Sequence, residues 1–150
     1  FNGYWKNQAE TDAAFLDGWV SVGDIARRDA EGYLYIIDRK KDMVISGGTN
    51  IYPREVENVL GQHPMILEAG VIGVPDEKWG ERLKAFVVIS DEESFAPDQI
   101  ISFAESHLAK YKVPKDFEVI SRLPRNANGK VLKAVLRERT QTSINEEKVS

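Results

Sequence analysis

The 150-residue sequence has no cysteine, which excludes a disulfide framework, a thiolate metal site and a cysteine nucleophile. It also has no apolar run long enough to cross a bilayer. The formal net charge is -4, whereas a protein that holds a nucleic-acid backbone needs a basic surface. These absences predict a chain with no transmembrane segment and no nucleic-acid partner, located in the cytoplasm.

Metal ligands and leader signals are equally scarce. The two histidines, His63 and His107, are far apart and have no partner at metal-ligand spacing, so no metal site is predicted. The chain begins at Phe1, and residues 1–6 lack the basic start and apolar middle of a signal peptide. We therefore expect this chain to be part of a longer one.

The patterns that are present predict an α+β fold. Two apolar stretches, Trp19 to Ile25 and Tyr33 to Asp38, predict the strands of a β-hairpin whose turn lies at residues 29–32. Four consecutive charges at residues 39–42 predict a linker. Beyond it, Pro53 and Pro97 each mark the start of a predicted helix, and the apolar runs at residues 67–74 and 83–89 predict two antiparallel strands. The full order of helix, strand, strand, helix, strand, helix predicts a small three-stranded antiparallel sheet flanked by helices. Residues 140–150 are mostly polar, offer no apolar face and are expected to be disordered.

Four short segments carry the features that point to chemistry. They are Gly18 to Asp24, Asp38 to Met43, Gly47 to Pro53 and Pro124 to Lys130. Together they resemble the C-terminal part of the acyl-adenylate-forming, AMP-binding enzyme superfamily, which includes acyl-CoA synthetases, luciferases and peptide-synthetase adenylation domains. The resemblance runs from Gly3 to about Arg139, and the residues of these motifs are most similar to those of the fatty-acid and aryl-acid CoA ligases.

The resemblance implies an acid-thiol ligase that works in two steps. A carboxylic acid and MgATP first give an acyl-adenylate and pyrophosphate, and CoA then displaces AMP to give a thioester. Residues 1–38 would end the large adenylating domain, residues 39–42 would form a hinge, and residues 43–139 would form a mobile lid. The Mg²⁺ and triphosphate sites are expected in the N-terminal domain, so this chain is expected to be inactive alone.

Lys130 is the predicted catalytic residue and a predicted nucleotide contact. The resemblance places it between the attacking carboxylate and the α-phosphate, where a compact ammonium offsets the negative charge that builds on the phosphorus oxygens. Gly129 allows the bend before it. Without the motif, a lysine ahead of a helix would be a surface residue. Lys133 stands where the family often has arginine.

Asp24 and Arg39 are predicted to bind the nucleotide. An ionised carboxylate accepts hydrogen bonds from the two hydroxyls of a ribose, and a guanidinium donates to ribose or phosphate oxygens. Val22 replaces the threonine that is usual in the family. On local grounds alone, Asp24 would be a turn former and Arg39 a solvated surface charge.

Lys41 and Gly48 are the predicted hinge and CoA contacts. A hinge residue changes its backbone angles while its neighbours stay packed, which suits a charged residue between two apolar strands. Gly48 has no Cβ and is implied to line the tunnel for the pantetheine arm of CoA. A plain surface lysine and a simple turn remain the alternatives. The Gly47-Gly48 pair is too short for a triphosphate-gripping loop.

A different class of function is also open, namely a non-catalytic interaction or nucleotide-binding module. The lysines at positions 110, 112 and 115 surround Tyr111. They could form a surface for the CoA phosphates, but a solvated run of charges is the preferred interpretation.

Overall fold

The computed structural model describes residues 2–90 and 95–147, and for residues 143–147 it describes only the backbone. The chain divides into two compact units, Phe1–Lys41 and Asp42–Ser150. The division falls inside a short 3-10 turn, Lys40–Asp42.

The first unit contains one short helix and two antiparallel hairpins. Its elements are α1 (Gln8–Ala14), β1 (Phe15–Leu16), β2 (Trp19–Val20), β3 (Asp24–Arg28) and β4 (Leu34–Arg39). β1 pairs with β2, and β3 pairs with β4. The predicted hairpin is therefore present, but the predicted strand from Trp19 to Ile25 is divided between two sheets. Gly23 lies at the break with a φ of +74°, a conformation that interrupts an extended strand.

The turn between β3 and β4 is closed by a single carboxylate. Asp29 Oδ1 accepts hydrogen bonds from the backbone N–H groups of Glu31 and Tyr33, at 3.0 and 2.9 Å. Burial raises the pKa of Asp29, but the hydrogen bonds made by this carboxylate outweigh that effect and lower the pKa. Asp29 and Gly32 thus form the turn that the sequence predicted.

In its described residues, the second unit consists of a five-stranded sheet and three α-helices. Its elements are β5 (Val44–Ser46), β6 (Thr49–Ile51), α2 (Pro53–Leu60), β7 (Ile66–Asp76), β8 (Gly80–Ile89), α3 (Pro97–His107), β9 (Asp116–Val119) and α4 (Lys133–Glu147). The strand order is β6-β5-β8-β7, and β9 also pairs with β8. The predicted α+β class and the antiparallel pairing of β7 with β8 are confirmed.

Two features of this sheet differ from the prediction. Strand β9 pairs parallel to β8, because α3 carries the chain back across the sheet before β9 begins. Strands β5 and β6 pair antiparallel, whereas the sequence predicted only a turn there. These two strands have three residues each, which is too short for a period-2 pattern to stand out.

The sheet is buried on both faces. Val56 and Leu60 of α2 and Ile100 of α3 pack with Val71 in one apolar cluster, while Leu136 of α4 belongs to a second cluster with Ile72 and Phe86. Neighbouring residues of a strand point to opposite faces, so Val71 and Ile72 enter different clusters. Burial on both sides explains why β7 and β8 are almost continuously apolar.

Ion pairs join α4 to the sheet on one side. Glu118 of β9 lies 2.9 Å from Lys84 Nζ of β8 and 2.6 Å from Arg139 Nε of α4. Burial raises the pKa of Glu118, but the hydrogen bonds and charges of these two cations outweigh it and hold the pKa below the ordinary value. The carboxylate therefore remains charged in the fold.

Helix α4 extends further than the sequence predicted. The polar stretch from Thr140 was expected to lack structure, yet the helix continues to Glu147. Thr140 is buried, and its hydroxyl donates to the carbonyl oxygen of Leu136 at 3.1 Å. A helix nucleated by a packed first half extends at low cost, which explains the difference. Residues 148–150 of the predicted tail lie outside the described part.

Within the described part of the chain, no helix is long and apolar enough to span a membrane.

Candidate functional site

The loop that carries Lys130 is closed by hydrogen bonds. Gly129, at a φ of +78°, makes the bend that the sequence predicted. The backbone N–H of Asn126 donates to the carbonyl oxygen of Lys130 at 2.9 Å, and Asn126 Oδ1 accepts from the N–H of Lys130 at 2.9 Å. The Lys130 side chain is exposed. Among the described residues, it has no salt-bridge partner within 4.0 Å.

The same loop is tied to the sheet through Arg125. Its Nη1 donates to the carbonyl oxygen of Gly129 at 2.6 Å, and its Nη2 contacts Glu68 Oε2 of β7 at 2.7 Å. At the base of the loop, the N–H of Leu132 donates to the carbonyl oxygen of Pro124 at 2.8 Å. The loop is thus held at its base and along one side.

Gly48 lies at the tip of the β5–β6 hairpin. Gly47 and Gly48 have φ angles of +56° and +78° and form a two-residue connection between Ser46 and Thr49, which are paired. Positive φ at both central residues is the requirement of a type I′ turn. A Cβ on Gly48 would have no atom within 4 Å, whereas one on Gly47 would lie 2.8 Å from Cε3 of Trp79.

A groove of about 420 Å³ adjoins this glycine turn. Gly47, Trp79, Lys110, Tyr111 and Lys115 are among its lining residues. It combines two aromatic rings with three cationic side chains, because Arg82 lines it as well. The sequence had grouped the lysines at 110, 112 and 115 as a solvated run, but the structure separates them.

Lys112 is the member of that run that turns away from the groove. Its Nζ contacts both carboxylate oxygens of Glu55 in α2, at 2.8 Å each. Lys112 is therefore engaged in holding the 3-10 turn Lys110–Lys112 against α2. The other two lysines of the run, Lys110 and Lys115, line the groove.

Asp24 and Arg39 face each other across the β3–β4 hairpin. They are register partners, and Arg39 Nε lies 2.6 Å from Asp24 Oδ1. The sequence analysis treated them as two separate nucleotide contacts, but the structure joins them in one ion pair. Their placement on opposite strands of the predicted hairpin was the signal that could have shown this, although a register shift next to Ile25 hides the exact partners.

Lys41 is exposed and lies in the 3-10 turn where the two units divide. The next residue, Asp42, is buried, and its Oδ1 accepts from Arg137 Nη2 of α4 at 3.1 Å. The second unit is therefore fixed to α4 from its first residue. This anchor was missed in the sequence, since 95 positions separate the two residues.

A second ion pair ties the start of α4 to α2. Lys133 Nζ lies 2.7 Å from Glu57 Oε1, and both side chains are largely buried. The same oxygen accepts from the N–H of Val71 at 2.9 Å. The helix after the Lys130 loop and the helix after the Gly48 turn thus belong to one packed body.

The described residues offer no group of three or more histidine or acidic side chains that could hold a metal ion. His63 is buried, and its Nδ1 accepts from the N–H of Met65. His107 lies at the end of α3, where its ring packs on Phe103. With no such cluster, the described residues do not fit a Mg²⁺ site.

Comparison with known families identifies the second unit. The model of the AMP-binding enzyme C-terminal domain matches residues 55–130. The chain belongs to the AMP-binding enzyme C-terminal domain family. The matched range ends at Lys130, and it leaves Asp24, Arg39, Lys41 and Gly48 outside.

Relatives of this family member extend the match over most of the chain. It is 47% identical over 141 residues to the long-chain-fatty-acid–CoA ligase FadD13 of Mycobacterium tuberculosis, covering 94% of this chain and 28% of that protein. It is 44% identical over 137 residues to a 2-succinylbenzoate–CoA ligase of Listeria monocytogenes, covering 91% of this chain and 29% of that protein. The chain thus spans under a third of the length of these curated relatives.

Solved structures agree on the fold. The o-succinylbenzoate CoA synthetase of Bacillus subtilis, in complex with the acyl-adenylate intermediate OSB-AMP, matches with a TM-score of 0.83 and 43% identity over 90% of this chain and 28% of its own. ATP-bound MatB from Rhodopseudomonas palustris matches with a TM-score of 0.84 and 40% identity over 93% of this chain and 28% of its own.

Proposed function

We propose that this chain is the C-terminal lid of an AMP-forming acid-thiol ligase. In the first step, a carboxylate oxygen of the acid attacks the α-phosphorus of ATP and pyrophosphate leaves. In the second step, the thiol of CoA loses its proton, its sulfur attacks the acyl carbon and AMP leaves. The support is the family membership, together with the CoA ligase names of both relatives described above.

The observation that carries the proposal is the Lys130 loop. Its backbone is fixed by hydrogen bonds, while its side chain is exposed and has no ion-pair partner among the described residues. A cation that is held in place and has no partner of its own suits the stabilisation of charge that develops on a phosphoryl group. We assign Lys130 to the adenylation step, where it contacts the α-phosphate.

The Asp24–Arg39 pair is proposed to hold the ribose of the nucleotide. The pair presents carboxylate acceptors and guanidinium donors side by side, and a vicinal diol can satisfy both. Each side chain retains solvent exposure, 24% for Asp24 and 44% for Arg39. Binding therefore requires little desolvation of buried charge.

Lys41 is proposed as the hinge about which the second unit rotates. Lys41 is exposed, while Asp42 next to it is held by Arg137. A change of backbone angles confined to Lys41 would therefore move the second unit as one body. Rotation would withdraw Lys130 after adenylation and present the Gly48 turn.

CoA is proposed to approach the Gly48 turn in the second step. The absence of a side chain at Gly48 leaves room for a narrow pantetheine arm. The adjoining groove offers Lys110 and Lys115 to the phosphates of CoA and the ring of Tyr111 to its adenine. This assignment replaces the solvated-run interpretation for these two lysines.

Mg²⁺ is proposed to bind in the large domain, since the described residues of this chain offer no cluster that could hold a metal ion. A cytoplasmic location completes the proposal, because ATP and CoA are both substrates. The acid is left undefined, since the relatives act on different acids by name.

The test uses the parent enzyme and separates the two steps. Lys130→Ala should slow adenylate formation by about 100-fold to 1000-fold, with thioester formation from supplied acyl-adenylate retained. Gly48→Leu should show the opposite pattern, because a side chain there obstructs the pantetheine arm and not the α-phosphate. Each variant is the control for the other, and equal loss of both steps in either variant would contradict the assignment.

The isolated chain gives a second test. Alone, it should make no acyl-CoA from acid, ATP and CoA, and addition of the separately purified large domain should restore some thioester formation. Turnover by the chain alone would contradict the lid assignment. Binding to the large domain without turnover would support the interaction-module alternative instead.

A further inference from the structure

Asn126 holds the Lys130 loop together from within. Its Oδ1 accepts from two backbone N–H groups, those of Asn128 at 3.0 Å and Lys130 at 2.9 Å. Its own N–H donates to the carbonyl oxygen of Lys130, and its carbonyl oxygen accepts from the N–H of Gly129, both at 2.9 Å. One residue therefore fixes both the N–H and the C=O of Lys130.

These contacts matter because the loop is exposed. Residues 125 to 130 are all exposed to solvent, so apolar packing does not determine their conformation. Ordering a backbone costs conformational entropy, and a loop that is disordered before substrate binds must meet that cost when the lysine is positioned. A side-chain oxygen that accepts from two backbone N–H groups of the loop orders the loop before the substrate binds.

We propose that Asn126 is a positioning residue for adenylation, acting through Lys130. Its Oδ1 presets the backbone from which the Lys130 side chain extends, and Arg125 ties the same loop to Glu68 of the sheet. This inference rests on the proposed function, since it assumes that Lys130 serves the first step. Asn126 itself contacts no substrate in this scheme.

The loop supplies its own matched control. Asn128 is the same residue type, two positions away and equally exposed. Its backbone N–H is held by Asn126, but its side chain makes no hydrogen bond within the part of the chain that the structure describes. Asn128→Ala therefore changes composition and exposure as Asn126→Ala does, without removing an acceptor from the loop.

The experiment measures both half-reactions of the parent enzyme in five forms: Asn126→Ala, Asn126→Asp, Asn128→Ala, Lys130→Ala and the double variant Asn126→Ala with Lys130→Ala. Asn126→Ala should slow adenylate formation about 10-fold to 100-fold, with the thioester step and the melting temperature nearly unchanged. Asn126→Asp, which keeps the acceptor, should recover most of the rate. Asn128→Ala should match the wild type.

The double variant decides whether Asn126 acts through Lys130. If it does, removing Asn126 from an enzyme that already lacks the Lys130 ammonium should cost nothing further. Additive losses, equal loss in both half-reactions, or an Asn126→Asp variant as slow as Asn126→Ala would each overturn the inference. A normal adenylation rate in Lys130→Ala would instead refute the proposed role of Lys130, which is a separate failure.

Discussion

Replacing Lys133 with methionine should destabilise the second unit by breaking a largely buried ion pair between two helices. Lys133 begins α4, and its Nζ lies 2.7 Å from Glu57 Oε1 of α2. The side chains are only 12% and 13% exposed. Methionine has nearly the same length and fills the space, so the change removes the charge and leaves the packing in place.

The size of the effect follows from what Glu57 retains. Removing one partner of a fully buried ion pair costs about 3–5 kcal/mol, because the other charge is left without compensation. Glu57 keeps its hydrogen bond from the N–H of Val71, and the site retains slight exposure. We therefore expect a loss of about 2–3 kcal/mol in the free energy of unfolding.

The assay is urea unfolding of the chain, followed by the circular dichroism of its helices and by tryptophan fluorescence. Trp79 is the single tryptophan between residues 42 and 150, so a variant without Trp5 and Trp19 reports on this unit alone. Lys110→Met, at an exposed position, is the matched control and should change the free energy of unfolding by less than about 0.5 kcal/mol.

A double-mutant cycle completes this test. Glu57→Gln can still accept from the N–H of Val71 but loses its charge, and adding Glu57→Gln to Lys133→Met should recover part of the loss. A coupling energy above about 1 kcal/mol is expected. The reasoning would be refuted by a Lys133→Met loss below about 0.5 kcal/mol or by two single losses that simply add.

Three further predictions concern a charge and two turns. The pKa of Glu118 is lowered in the fold, so the stabilisation that its charge provides is present above the ordinary pKa of 4.5 and is lost as the pH falls. Glu118→Gln should therefore reduce the loss of stability below about pH 5, as measured by urea unfolding at several pH values. Gly48→Ala should cost about 1–2 kcal/mol for its positive φ, and Gly47→Ala should cost more in the same assay, because its Cβ would also meet Trp79 at 2.8 Å. Asp29→Ala should speed proteolysis at the β3–β4 turn, which loses its acceptor for two backbone amides; an unchanged cleavage rate would contradict this.

Much of the fold could be predicted because its signals are local. Continuous apolar runs predicted β7 and β8, and Pro53 and Pro97 marked the first residues of α2 and α3. The β5–β6 hairpin could have been found from its Gly47-Gly48 pair, which is a hairpin signal even between short strands. The parallel direction of β9 could not be predicted, because it depends on where α3 returns the chain to the sheet.

The candidate site, like the fold, was predictable only where its signals are local. The bend before Lys130 was predicted from Gly129, and both the charge and the position of Lys130 are visible in the motif. The contacts that hold it were not predicted, because Arg125 reaches Glu68 across 57 positions of sequence. The different environments of the lysines at 110, 112 and 115 could not be predicted either, because Glu55 and Lys112 come together only in the packed fold.

The sequence by itself determined the α+β class, the hairpin turn, the linker charges and the motif that ends in Lys130, because each depends on neighbouring residues and on backbone preferences. Tertiary structure decided which charges are paired, which lysines face the groove and which residues hold the loop. Those outcomes depend on distances between residues far apart in the chain, and such distances exist only after the sheet has packed against its helices.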